Sequence, residues 1–118
     1  MTRCRFIHGL LRLAADSAAH VRDWTVFGLG VLGDADSPEI REALLRCLDD
    51  ADENVREEAA VGLGKRQDLR LIPRLRTMLD QPELKYRVAE AAAALLELAE
   101  DPPEWVGADY KAALLSKF

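Results

Sequence analysis

The chain has few of the residues that build disulfide frameworks and metal sites. Cys4 and Cys47 are the only cysteines, and His8 and His20 the only histidines, among 118 residues. Two cysteines are too few for a disulfide framework, and these four residues form no metal-ligand spacing. We therefore expect no metal, no cofactor and a reducing, cytoplasmic setting.

Long apolar runs and aromatic residues are also scarce. No stretch approaches the roughly 18 consecutive apolar residues of a membrane span, and the basic start lacks a signal-peptide cleavage site. Aromatics make up only 6% of the chain. The net charge of −5 argues against non-specific binding to nucleic acid or to anionic membranes. With 49% hydrophobic residues, the composition is that of one folded domain, and we expect no membrane association.

One segment of the chain recurs. Residues 21–30, Val-Arg-Asp-Trp-Thr-Val-Phe-Gly-Leu-Gly, return 34 positions later as Val-Arg-Glu-Glu-Ala-Ala-Val-Gly-Leu-Gly at 55–64, and each copy follows an acidic turn. Self-similarity at this period is typical of a helical solenoid, because a helix pair that cannot bury its apolar stripe alone is buried by its neighbours. The sequence predicts an all-α, right-handed solenoid of stacked helix pairs.

Apolar periodicity and capping signals place about seven helices. The predicted helices are 3–15, 18–32, 38–49, 53–64, 69–79, 83–99 and 102–117. Ser17 and Ser37 are the predicted caps of two of them, and Pro38 stands at a first helical position.

The helices group into one domain, 1–118. It comprises a half repeat at 3–15, repeats at 17–49 and 52–79, and a degenerate C-terminal repeat at 83–117. Because the first helix corresponds to the second helix of a unit, two explanations stay open. The chain is part of a longer array, or its N-terminal end meets another molecule, for which end-to-end self-association is one form.

An acidic residue and an arginine recur six positions apart, as Asp16 with Arg22 and Asp50 with Arg56. Each pair is followed by Gly-Leu-Gly and then by the second helix of its unit. The second helix predicted at 38–49 ends with Leu-x-x-Leu-Asp. This pattern resembles HEAT repeats, and more narrowly the short HEAT-like units of the phycobilin-lyase type, over almost the whole chain. In the last unit Gln81 stands where the Asp is expected. The resemblance implies an adaptor whose concave face is lined by the second helix of each pair.

The repeated residues have a structural and a functional interpretation. Arg22, Arg56 and Arg87 could form a phosphate-binding track, but we favour bridges between acidic turns of neighbouring units. The glycines of the two copies are Gly28, Gly30, Gly62 and Gly64. Because no strand precedes them, we predict that they serve close helix packing and helix termination and do not form a phosphate loop. Trp24 could be a stacking platform, but we favour a packed or partly buried position at a solenoid end.

No catalytic constellation is visible in the sequence. Neither histidine is followed by Glu, unlike the His-Glu pairs of iron-binding HEAT hydroxylases, and no Ser-His-Asp or Cys-His ordering stands out. Acid pairs such as Glu57-Glu58 fit solvated turns and helix starts. We predict that the protein is not an enzyme.

Charge is segregated by layer. The predicted second helices carry eight of the sixteen Lys and Arg residues: Arg3, Arg5, Arg12, Arg41, Arg46, Arg70, Arg74 and Arg76. Guanidinium groups bind carboxylates and phosphates bidentately, so this face is a candidate groove. The alternative is a solvated face whose arginine stems cover apolar surface. The candidate partner-binding residues are Arg5, Arg12, Arg46, Arg70 and Arg74.

Two classes of function follow from these features. The leading hypothesis is a non-catalytic protein-interaction scaffold whose basic concave groove binds an acidic peptide or protein surface. The alternative is a HEAT-like nucleic-acid-binding protein or DNA glycosylase, which also uses a basic concave face; the short chain and its acidic total count against it. A chromophore-lyase subunit is a third possibility that no particular residue supports.

Overall fold

The computed structural model describes residues 9–33, 35–82, 85–96 and 108–117. Within these ranges all regular structure is helical, which confirms the predicted all-α helical-repeat fold. The helices are α1 over residues 9–13, α2 (Ala19–Val26) continued by a π-helix (Phe27–Leu32), α3 (Pro38–Cys47), α4 (Glu53–Lys65), a 3-10 turn (Leu69–Leu71) leading into α5 (Ile72–Leu79), α6 (Tyr86–Leu95) and α7 (Ala108–Leu115). No helix in this described part has the length and apolar character to cross a membrane.

The first helices of the units, α2, α4 and α6, lie side by side with α4 in the middle, and the second helices α3, α5 and α7 pack beside them. Every residue of α4 from Glu57 to Gly64 is buried. A helix that is buried all round is a core helix rather than an amphipathic surface helix. The position of α4 in the stack therefore explains why its sequence is rich in Ala and Gly.

Glycines allow the first helices to touch backbone to backbone. A Cβ atom on Gly62 would lie 2.9 Å from the Cα of Gly30, and one on Gly64 would lie 2.6 Å from the carbonyl oxygen of Ala91. Close packing is thus confirmed for these glycines. It is wrong for Gly28, where a Cβ atom would meet nothing within 4 Å.

The second helices bury the apolar stripes that the sequence predicts. In α3 the fully buried side chains include Ile40 and Leu44, and in the next unit they are Leu71, Leu75 and Leu79. These positions recur every three or four residues, as one face of a helix requires. The core therefore runs between the two helix layers along the stack.

One of the two predicted serine caps is confirmed. Ser37 Oγ accepts a hydrogen bond from the Ile40 N–H at 3.2 Å, with Pro38 at the first position of α3. Ser17 does not cap α2, whose N-cap residue Ala18 has no side-chain cap. Instead the Asp16 carboxylate accepts from the Ala18 N–H at 2.9 Å, because Asp readily bonds the backbone two residues ahead.

The helix predicted at 18–32 changes character at Phe27. The Gly33 N–H donates to the Gly28 carbonyl five residues back at 3.0 Å, which is the π-helical pattern. The buried face of this segment includes Thr25, Val26, Leu29 and Gly30. Gly30 therefore faces α4, where it contacts Gly62. Trp24 consequently points outward with 73% of its surface exposed, so the prediction of a packed Trp24 is wrong.

Other helix boundaries also differ from the predictions. The helix expected at 69–79 begins with the 3-10 turn, where Asp68 accepts from the Arg70 N–H. Helix α6 begins at Tyr86 rather than at 83, and α7 is described from Ala108. The parts of the predicted helices at 3–8, 83–84, 97–99 and 102–107 lie outside the described residues.

Candidate partner-binding site

Arg22 bridges two neighbouring acidic turns. Its Nε and Nη2 donate to the Asp50 carboxylate at 2.8 and 3.0 Å, while its Nη1 donates to the carbonyls of Asp16 and Ser17 at 2.9 and 3.1 Å. The guanidinium of Arg22 holds the pKa of the Asp50 carboxyl below its usual range. The predicted structural role of the arginine ladder is confirmed at this position.

Arg56 repeats only half of this arrangement. Its Nη1 donates to the carbonyls of Asp50 and Ala51 at 2.7 and 3.1 Å, as Arg22 does to its own turn. In the described part of the chain nothing accepts a hydrogen bond from Nε or Nη2 of Arg56. The residue in place of the expected Asp is Gln81, whose Nε2 donates to the Thr77 carbonyl at 3.4 Å.

Arg87 does not continue the ladder between turns. Its Nη2 lies 3.6 Å from the Glu58 carboxylate, and its guanidinium carbon lies 5.6 Å from the centre of the Phe27 ring. Both partners are on the layer of first helices. The bridging prediction is therefore wrong for Arg87, because it pairs with the side of α4 instead of with an acidic turn.

A cleft of about 540 Å³ opens beside Arg56, between the turn that precedes α4 and the turn that precedes α6. Leu48, Met78, Pro82 and Val88 supply its apolar surface. Its charged and polar lining consists of Arg56, Arg74, Lys85, Glu53, Glu57, Thr77 and Gln81. The cleft joins the arginine ladder to the second-helix face through Arg74 on α5.

Two of the candidate binding residues keep their charge available. Arg12 on α1 and Arg46 on α3 are exposed, and neither forms an ion pair with any described residue. Arg5 lies outside the described residues. Arg12 and Arg46 are thus the candidates that the structure leaves open to a partner.

Arg70 and Arg74 are instead each paired with an acid of the preceding unit, and Arg70 also pairs with Asp68 of its own unit. Arg70 contacts Glu42 at 2.9 Å and Asp68 at 2.7 Å, and Arg74 contacts the Asp49 carboxylate and the Leu48 carbonyl. Each arginine is about half exposed, so part of its guanidinium still faces solvent. The second-helix face is therefore less basic than its residue types suggest.

Arg66 is the arginine that sequence reasoning missed. Its side chain is 5% exposed and donates to the carbonyls of Leu29, Gly30 and Ala35 in the preceding unit and of Gly62 in its own, at 2.6 to 3.1 Å. The last carbonyls of a helix lack intrahelical partners, and Arg66 supplies donors to them. The available signal is an arginine two residues after the second Gly-Leu-Gly.

Asp23 and Glu58 form a carboxyl pair between α2 and α4. Glu58 is 5% exposed, and no described residue donates to the buried Oδ1 of Asp23 or Oε2 of Glu58. Burial, with a hydrogen bond to the Asp23 carboxyl, raises the pKa of Glu58 to about 8. The prediction that Glu57-Glu58 is solvated is wrong because α4 is the central helix.

Other reactive chemistry is sparse in the part of the chain described here. No three His, Cys, Asp or Glu side chains within the described ranges come together as metal ligands would. Cys47 is a free, buried thiol, and burial raises its pKa to about 11. A thiol with such a pKa is a poor nucleophile at neutral pH.

The repeat architecture and the arginine-linked turns agree with a comparison against protein families. The family model described as HEAT repeats matches residues 7–97. The chain belongs to the HEAT-repeat family. The narrower resemblance to phycobilin-lyase units stays a prediction.

The chain is also similar to a longer bacterial protein. Protein YibA of Escherichia coli, in strains K12 and O157:H7, is 33% identical over 86 residues, which are 73% of this chain and 30% of YibA. An X-ray structure of E. coli YibA matches with a TM-score of 0.74 and 27% identity, over 94% of this chain and 42% of that one. The chain thus spans less than half the length of the relatives that it matches.

Proposed function

We propose that this HEAT-repeat chain is a non-catalytic scaffold whose second-helix face binds an acidic peptide or an acidic protein surface. HEAT repeats commonly mediate protein–protein interactions, and family membership supports that level of the proposal. The basic face supports the finer level, the acidic chemistry of the partner. We also propose a cytoplasmic setting, which the free thiol of Cys47 supports.

The observation that carries the proposal is the exposure of Arg12 and Arg46 without an ion-pair partner among the described residues. Arg74 adds a half-exposed guanidinium on the same layer, at the wall of the cleft. Guanidinium forks bind carboxylates bidentately, and a rigid helical layer presents them at little entropic cost. An acidic segment lying across α3 and α5 therefore gains several charge-assisted hydrogen bonds.

The test is binding of a fluorescein-labelled peptide with alternating Asp and Ser residues, followed by anisotropy at low ionic strength. The triple variant Arg12→Glu, Arg46→Glu, Arg74→Glu should bind at least about tenfold more weakly, because attraction becomes repulsion. The matched control replaces the same three residues by Lys, which retains the charge but loses the fork, and its affinity should lie between those of the unaltered chain and the Glu variant. Circular dichroism should show the same helix content in all three proteins. Unchanged affinity in the Glu variant contradicts the proposal.

The nucleic-acid alternative is separated by the same assay. Labelled single-stranded and double-stranded DNA should bind more weakly than the acidic peptide, since the chain has a net charge of −5. Tight DNA binding that weakens steeply with added salt would instead favour the alternative. End-to-end self-association through the N-terminal half repeat stays a prediction, which sedimentation equilibrium tests.

A further inference from the structure

Arg22 and Arg56 occupy equivalent positions of successive repeats but have different partners. Both use Nη1 to bind two carbonyls of the turn that precedes their own helix. Arg22 uses Nε and Nη2 to hold the carboxylate of Asp50 from the following turn. The pair of Arg22 with Asp50 therefore indicates what kind of group Nε and Nη2 of Arg56 would bind.

Among the described residues, which leave out 83 and 84 of this turn, no carboxylate completes the second pair. Gln81 takes the position that Asp50 has in the preceding unit, and its amide donates back to the Thr77 carbonyl in the last turn of α5. Because an amide oxygen is neutral, it is a weaker partner for a guanidinium than a carboxylate is. Arg56 and Gln81 line the same cleft.

The remaining lining of the cleft favours a single negative charge. Arg74 and Lys85 add positive charge beside Arg56, while Glu53 lies 3.7 Å from Lys85 and balances part of it. The carboxyl of Glu57 has its pKa raised by burial and by the nearby Glu53. The equivalent donors of Arg22 hold a carboxylate, that of Asp50, so the same class of group is the one expected at Arg56.

We propose that the cleft beside Arg56 is a binding site for one aspartate or glutamate side chain of the partner, held by Nε and Nη2 of Arg56 as Asp50 is held by Arg22. This proposal rests on the proposed function, because it states where on this chain one carboxylate of the acidic partner binds. The apolar surface of Leu48, Met78 and Val88 accommodates a neighbouring apolar residue of the same partner segment. The partner thus supplies to Arg56 the carboxylate that Asp50 supplies to Arg22 within the chain.

The decisive variant is Gln81→Asp, which supplies the carboxylate from the chain itself. It should raise the melting temperature by pairing with Arg56, and it should weaken binding of the Asp-Ser peptide at least about tenfold by competing for the same donors. Gln81→Asn is the matched control, of the same size as Asp but neutral, and should leave the affinity unchanged. Arg56→Lys keeps the charge but loses the fork, and should also bind at least about tenfold more weakly.

A spectroscopic readout on the unaltered chain tests the same site. Peptide addition should shift the Nε–Hε resonance of Arg56, because this group would donate to the peptide carboxylate, and should leave that of Arg22 in place. The inference is overturned if the resonance does not move, or if Gln81→Asp binds the peptide as the unaltered chain does. If the triple Glu variant loses binding while Arg56→Lys and Gln81→Asp do not, the proposed function stands and this site is wrong. Absence of any peptide binding by the unaltered chain overturns both.

Discussion

Gly64 lies so close to α6 that a Cβ atom on it would stand 2.6 Å from the carbonyl oxygen of Ala91. Gly30 and Gly62 make the equivalent contact between the π-helix and α4. At these points the first helices pack with backbone against backbone. Gly30, Gly62 and Gly64 thus set the spacing of the stack, and overpacking at that spacing is costly because backbone atoms cannot rotate away.

Gly64→Ala should destabilise the protein by about 2 kcal/mol or more, since a methyl group would push α4 away from α6. Gly28→Ala is the matched control, because nothing lies within 4 Å of its Cβ position. That variant should be neutral or stabilising by up to about 1 kcal/mol, as Ala favours helix over Gly. Urea denaturation measures both, and equal effects of the two substitutions would contradict backbone packing as the reason.

Arg66→Met should lower the free energy of unfolding by at least about 3 kcal/mol, because it removes a buried charge-assisted donor set and leaves several carbonyls without it. The stem of Met approximates the aliphatic part of Arg, so the loss reports the guanidinium. Arg46→Met, at an exposed position, should change stability by no more than about 0.5 kcal/mol. A similar small change at Arg66 would mean that water replaces its hydrogen bonds.

Glu58→Gln should make stability less dependent on pH. In the folded protein the pKa of Glu58 is raised from its ordinary value of 4.5 to about 8. The stability contributed by the protonated carboxyl is fully present below pH 4.5 and is lost as pH rises through about 8. Gln mimics the protonated form, so at about pH 9 the variant should be more stable than the unaltered chain by on the order of 2 kcal/mol.

The groups facing Glu58 are Asp23 from α2, Arg87 from α6 and Asp52 at the start of α4. Urea denaturation of both proteins from about pH 6 to about pH 9 isolates Glu58, because every other titrating group is shared. Parallel stability curves for the two proteins would contradict the raised pKa.

Gln67→Gly should stabilise the protein by about 0.5 kcal/mol, since Gly adopts the left-handed conformation without strain. Gln67 has φ of 54° directly after the end of α4, where the Asp68 N–H donates to the Leu63 carbonyl and the Gln67 N–H to the Gly64 carbonyl. Gln67→Ala removes the side-chain amide but keeps the unfavourable φ, so it should not stabilise. Thermal unfolding compares them, and a gain with Ala would assign the effect to the side chain.

Local signals in the sequence were sufficient for much of the fold. Ser37 and Pro38 marked the start of α3, and the spacing of Ile40 and Leu44 identified its buried face. Predictions failed where a neighbouring unit decides the outcome. Trp24 was expected to pack, but the approach of Gly30 to Gly62 rotates α2 so that Trp24 faces solvent.

The candidate site shows the same division. Residue type predicted Arg70 and Arg74 as binding residues, because guanidinium chemistry is a property of the side chain itself. Their ion pairs with Glu42 and Asp49 join residues 28 and 25 positions apart, and no local pattern announces such pairs. The sequence identifies Arg56 only as a repeated residue. The structure shows that Gln81 donates to the Thr77 carbonyl, and among the described residues nothing accepts from Nε or Nη2 of Arg56.

By itself the sequence determined the repeat, the helical architecture and the apolar faces of the second helices, because these depend on periodicity and on contacts between units of known spacing. Only the tertiary structure decided which arginines stabilise the stack and which remain open to a partner. The physical reason is that each guanidinium binds the nearest available oxygens. For Arg66 these include the carbonyl of Leu29, which is 37 positions away in the chain but only 3.0 Å away in the fold.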